Sequence, residues 1–209
     1  PDIGTPLRKE GESSKLIGFI DQVHNDFQAD FRKGKVLIIY GRESDDVEQN
    51  AASFLSAREL KNLFEKKWGF NLPCREASTL TPEELKDNDL YIFGNPQTNE
   101  VLASLLPSLP IKIGENRIEV ANRVYEGEDI GVIMLAPNPY NKDKFLLVYC
   151  AFAPFLQWGC RNVFHGQADY HIFSKEALQG RASSPVLEEG FFLKIDPTKW
   201  EAIPSRKEV

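Results

Sequence analysis

The chain has 209 residues, 42% hydrophobic, 11% aromatic and 27% charged, enough apolar material to bury a core and not the composition of a disordered or collagen-like chain. Its 31 acidic and 25 basic side chains leave a formal charge of -6, and no Lys/Arg run exceeds the pairs Lys66–Lys67 and Arg206–Lys207; without a basic stripe, no nucleic-acid partner is expected. The longest apolar stretch, Phe145 to Leu156, is interrupted by Pro154 and falls short of the roughly 18 residues that a spanning helix needs, so no membrane span is expected.

Residues 1–34 read as a leader: a polar start, then KLIGFIDQVHNDF, a semi-apolar segment expected to pack on the domain's edge. The chain opens on Pro1 without a signal-peptide pattern, and is expected to be an excised piece of a longer protein. A single α/β domain is expected over residues 35–196. KVLIIYG (Lys35–Gly41) is a continuous apolar, β-branched run, the mark of a strand buried on both faces. From Asn50 to Trp68 the apolar residues Phe54, Ala57, Leu60, Phe64 and Trp68 recur at helical spacing, and Gly69 stands where a left-handed cap would end the helix. Pro73–Ser78 can form a short strand. Thr81, Pro82 and Glu84 make a capping-box signature for one or two helical turns. DLYIFGN (Asp89–Asn95) is a second buried strand, and Asn99–Leu106 a helix stopped by Pro107 and Pro110.

Beyond Pro110, IKIGENRIEVANRVYEG alternates with period two around Gly-Glu-Asn and predicts a β-hairpin excursion. GVIMLAP (Gly131–Pro137) and KFLLVYCAF (Lys144–Phe152) read as two more core strands. A helix is expected from Pro154 to Val163, with short strands at Tyr170–Phe173 and Gly190–Asp196, and residues 197–209 as a tail. Strand and helix alternating over short connections predict a three-layer α/β sandwich with a mostly parallel sheet, flavodoxin-like or Rossmann-like, plus the hairpin excursion.

Ligands of such sheets sit beyond the carboxyl ends of the strands, which brings three loops into view: Gly41–Asn50, Gly94–Asn99 and Asn138–Lys144. Arg42, Asn95, Thr98, Asn99, Asn138 and Asn141 are the candidate ligand-binding residues, suited to one anionic ligand; each also serves as an ordinary turn or capping residue. No G-x-G-x-x-G, no G-x-x-x-x-G-K-[ST] and no G-x-S-x-G occurs, so no cofactor is expected and no catalytic residue is assigned. His165, Asp169 and His171, or Cys160 with His165, suggest a metal or nucleophile pair, but no further ligand or oxyanion element accompanies them and no metal site is assigned. Cys74, Cys150 and Cys160 are an odd number in a chain large enough to fold without staples, so no disulfide framework is implied.

The order of blocks resembles a domain attached to secreted bacterial prolyl-oligopeptidase-like and esterase-like α/β hydrolases. The matching residues are Ile20, Asp21 and Phe27; Tyr40 and Gly41; Phe93, Gly94, Pro96 and Asn99; Pro137, Asn138, Pro139 and Asn141; and Asp169, Tyr170, Ile172 and Phe173. The similarity covers about residues 17–173. The family's catalytic serine, acid and histidine have no counterpart here. The resemblance implies a non-catalytic accessory or interaction domain of a larger exported protein, partnered by a hydrolase-like domain of the same parent and located extracytoplasmically. Two alternatives remain: a small-ligand-binding or enzymatic domain using the carboxyl-edge loops, or a cell-wall or surface-layer attachment module, since a Gly-x-Pro-x-x-Asn turn occurs in such modules too.

Overall fold

In a computed structural model, residues 33–163, 168–179, 185–196 and 199–205 are described; residues 1–32 of the leader (1–34) and His165 lie outside them. Val36–Tyr40 forms β1, and its residues alternate between the two faces: Val36 and Ile38 enter one apolar cluster, Leu37 and Ile39 the other. Both faces being covered explains why the run is unbroken in hydrophobicity. Helix α1 (Val47–Trp68) starts at Asp46, whose carboxylate accepts the backbone N–H groups of Glu48 and Gln49, and ends at Gly69 in the left-handed conformation. β2 (Cys74–Glu76) is short, and α2 (Pro82–Asp87) has the expected capping box between Thr81 and Glu84. β3 (Asp89–Phe93) is wholly buried, and α3 (Glu100–Leu105) is capped by Asn99.

The excursion is a three-stranded antiparallel sheet, β4 (Lys112–Gly114), β5 (Arg117–Val120) and β6 (Arg123–Glu126). Then follow β7 (Gly131–Asn138), β8 (Asn141–Ala151), α4 (Pro154–Gly159), β9 (Tyr170–Phe173), β10 (Glu188–Asp196) and β11 (Lys199–Pro204). The main sheet has the order β11-β10-β9-β7-β8-β3-β1-β2. One face packs against α1 and α4; the other is covered by α2, α3 and the small sheet, through Leu85, Val101, Leu102, Leu105, Ile113 and Ile118.

The mostly parallel, flavodoxin-like or Rossmann-like three-layer sandwich is not what forms. Only β2/β1, β1/β3 and β3/β8 pair in parallel; β8/β7, β7/β9, β9/β10 and β10/β11 are antiparallel. The chain leaves β3 at its carboxyl end, and after the small sheet it re-enters at the same edge, where Gly131 pairs with Ala151. β7 must therefore run back, and only two residues, Pro139 and Tyr140, separate it from β8, a connection that permits nothing but a hairpin. The apolar runs of β7 and β8 report burial on both faces, not strand direction. Lys199–Pro204, read as part of a tail, pairs with β10 as the outermost strand.

Candidate functional site

β1 and β3 are neighbours whose following helices leave toward opposite faces, so the loops after them diverge at the point where an open sheet offers its crevice. Here that crevice is filled by the chain itself. A Cβ on Gly41 would lie 2.2 Å from the Thr98 carbonyl oxygen, so the two loops approach backbone to backbone and position 41 has room for glycine alone. Glu43 N donates to the Thr98 carbonyl at 2.9 Å. Gly41 N donates to the Phe93 carbonyl (3.1 Å) and to Ser53 Oγ (3.0 Å). The Phe93 carbonyl also accepts from Ser53 Oγ and from Asn99 Nδ2, each at 2.9 Å.

The candidate residues of this edge are absorbed in the same network. Asn95 Oδ1 accepts from Gln97 N and Thr98 N at 3.0 Å; Thr98 Oγ1 accepts from Asn95 N at 3.0 Å; Asn99 Oδ1 accepts from Leu102 N at 3.1 Å and caps α3. Asn95, Thr98 and Asn99 are all buried. Arg42 is exposed, with its guanidinium 3.9 Å from the Glu76 carboxylate, and borders a shallow concavity of about 300 Å³ shared with Val47, Asn50, Ala51 and Phe54.

Asn138 and Asn141 do not join them. Because β7 and β8 form a hairpin, their turn lies at the opposite end of the sheet, beside α2. Asn138 Nδ2 donates to the Leu85 (2.8 Å) and Asn88 (3.3 Å) carbonyls, and Asn141 Nδ2 to that of Lys86 (2.9 Å). They satisfy carbonyls that the end of α2 leaves without helical donors. Their Oδ1 atoms accept from Tyr140 N and Asp143 N, closing the turn. A six-residue site at one edge does not exist; four of the residues lie at one edge and two at the other.

The sequence reading missed the polar side chains that complete the carboxyl edge from the helices. Gln49 Nε2 donates to the Ala151 carbonyl (2.8 Å), and Gln157 spans β8 with Oε1 on Ala151 N (2.9 Å) and Nε2 on the Tyr149 carbonyl (3.1 Å). Gln49 and Ser53 sit at helical spacing among the inward residues Ala52, Ala57 and Leu60, and polar groups on an apolar stripe were the available signal. It also missed a buried carboxylate: Glu188 on β10 accepts from Tyr125 Oη (2.6 Å), Tyr170 Oη (2.9 Å) and Arg123 (2.9 Å), tying the small sheet to the main one. Nothing local in sequence announces contacts spanning 63 and 65 residues.

The cysteines are free thiols. Burial pushes Cys160 up to about 12, with Cys150 higher still, and Cys74 up to about 11, so none is a ready thiolate at neutral pH. Cys160 donates to the Gln157 carbonyl at 3.0 Å. His171 is buried with Nε2 3.3 Å from a Glu189 carboxylate oxygen, and an Asp169 carboxylate oxygen accepts from Phe192 N at 2.9 Å. Among the described residues, no group of three His, Cys, Asp or Glu side chains is placed to hold a metal ion, and no helix is long and apolar enough to cross a membrane. On the outer surface of the helical face, Phe155 and Trp158 of α4 are about half exposed.

No known family model matches the chain, and no curated protein matches it in sequence.

Proposed function

We propose that this chain is a non-catalytic accessory or interaction domain of a larger, exported hydrolase-like protein. The observation that carries the reading is the fate of the candidate ligand groups: the side chains of Asn95, Thr98, Asn99, Asn138 and Asn141 are each spent on the chain's own backbone. Polar residues that close turns and cap helices contribute rigidity, and a rigid scaffold acts through its surface. Phe155 and Trp158 supply large apolar contact area at low entropic cost, the composition favoured where a domain meets a partner. The hydrolase-like parent and the extracytoplasmic setting come from the resemblance in the blocks from Ile20 to Phe173.

The test exposes the purified chain to a fluorophosphonate probe and to chromogenic esters and peptides, reading intact mass and turnover. Unchanged mass and no turnover are expected. A stoichiometric adduct on one serine would overturn the proposal and make the chain itself a hydrolase.

A further inference from the structure

We propose that the free edge of the small sheet, β6, is the seam of a two-fold dimer in which it pairs antiparallel with β6 of a second copy of this chain. Ala121 (φ +45°) and Asn122 (φ +70°) are both left-handed, the two-residue type I′ turn that closes on Val120 and Arg123 as a hydrogen-bonded pair. Bonded pairs then alternate, so Ile118 and Tyr125 bond each other while Glu119/Val124 and Arg117/Glu126 do not. Gly127 N, donating to the Asn116 carbonyl at 2.9 Å, continues that phase. The backbone N–H and C=O groups of Val124 and Glu126 therefore point away from β5, and among the described residues no strand lies beyond them. The edge stands in solvent: Val124 is 49% exposed and the Glu126 side chain 65%.

The other edges are closed to pairing by shortness, proline or a bulge. β2 and β4 have three residues each, and the Glu76 carbonyl already accepts from Thr79 Oγ1 at 2.7 Å. β11 pairs with β10 through a register shift between Lys194 and Asp196 and ends on Pro204. β6 has neither proline nor bulge, and its two charges are engaged, Arg123 with Glu188 and Glu126 with Arg117, so neither is left to repel an incoming strand. Its sequence selects a copy of itself. A two-fold axis perpendicular to the sheet leaves every side chain on its own face, so even-numbered residues meet even-numbered ones. Centring on Val124 would require the left-handed Asn122 to extend, and centring on Glu126 would set two carboxylates opposite each other. Centring on Tyr125 pairs Val124 with the copy's Glu126, and the reverse by symmetry, so that every outward N–H and C=O of these two residues is bonded. It also places the two Tyr125 side chains opposite each other in the close, non-bonded position where aromatic pairs are favourable, and sets Arg123 opposite Gly127, which has no side chain to obstruct it.

Sedimentation of the full chain over a concentration series reaching the millimolar range is expected to show a reversible monomer–dimer equilibrium. Val124→Pro removes an outward N–H at a residue that gives β5 no bond, and is expected to weaken the dimer at least tenfold, whereas Val124→Thr, which keeps the N–H, leaves it nearly unchanged. A monomer at every concentration overturns the proposal. So does a dimer indifferent to Val124→Pro, which would assign the association to another surface. Should Val124→Pro unfold, cross-linking decides. In Tyr125→Cys the two introduced thiols face each other at a Cα separation that a disulfide spans, whereas in Val124→Cys they lie diagonally, about 8 Å apart and out of reach. Peptide mapping after mild oxidation is expected to find the 125–125 link between copies forming at least tenfold faster than the 124–124 link. Equal rates, or no link at 125, refute the pairing.

Discussion

Replacing Asn99 by alanine separates a ligand-binding asparagine from one that holds the fold. The substitution removes two bonds at a fully buried position: the Leu102 N–H loses its cap acceptor at 3.1 Å, and the Phe93 carbonyl loses the Asn99 Nδ2 donor at 2.9 Å. The two losses differ in kind. The Phe93 carbonyl keeps Gly41 N and Ser53 Oγ, so that loss is about 1 kcal/mol, the net worth of an ordinary hydrogen bond. Leu102 N is buried in the first turn of α3 and gains no replacement, so the lost cap costs about 1–2 kcal/mol. Together the destabilisation is about 2–3 kcal/mol, equivalent to a fall in Tm of about 4–12 °C for a chain of this size. Asn99→Ser retains a cap acceptor and is expected to lose about half as much. Urea and thermal unfolding of the three proteins measure this directly, with an unchanged m-value showing that the same surface unfolds. A loss below about 0.5 kcal/mol for Asn99→Ala would refute the reasoning, since two buried bonds cannot vanish without cost.

Glu188→Ala is expected to destabilise by about 2–4 kcal/mol, because it leaves the buried Tyr170 hydroxyl without its acceptor; Arg123→Ala, at a side chain 62% exposed, is expected to cost under about 1 kcal/mol, and equal losses in a chemical-denaturation comparison would contradict this assignment. Stability is also expected to fall at alkaline pH: the native chain keeps Cys160 protonated to about 12 and Cys74 to about 11, against an ordinary thiol value of 9.0. Between those values the folded state holds more protons than the unfolded one, so the stabilisation is complete below pH 9 and is lost as pH rises toward 12, at up to about 1.4 kcal/mol per pH unit for the fully buried Cys160. A urea midpoint that stays level from pH 8 to 11 would contradict it.

Features made by neighbours in sequence were legible in advance. The capping box of Thr81 and Glu84, the left-handed Gly69, the Asn99 cap and the alternation in Arg117–Val120 each follow from a few adjacent residues whose bonds close locally. The turn role of Asn95 and Thr98 was legible for the same reason. The grouping of Asn138 and Asn141 with Arg42 was not, because it depended on strand direction, and hydrophobic runs such as GVIMLAP and KFLLVYCAF are identical for parallel and antiparallel strands in mid-sheet.

By itself, then, the sequence determined most of the strands and helices, since period, caps and apolar runs act over a few residues, but not the edge strand Lys199–Pro204, read as part of a tail, nor the burial of Gln49, Ser53 and Glu188. Tertiary structure alone decided that Gly41 meets the Thr98 carbonyl, that Glu188 gathers Tyr125, Tyr170 and Arg123, and that the candidate residues divide between two ends of the sheet. The reason is physical: after β3 the chain spends its small sheet returning to the edge it left, and the direction it must then take is a property of the closed path, which no local window of residues contains.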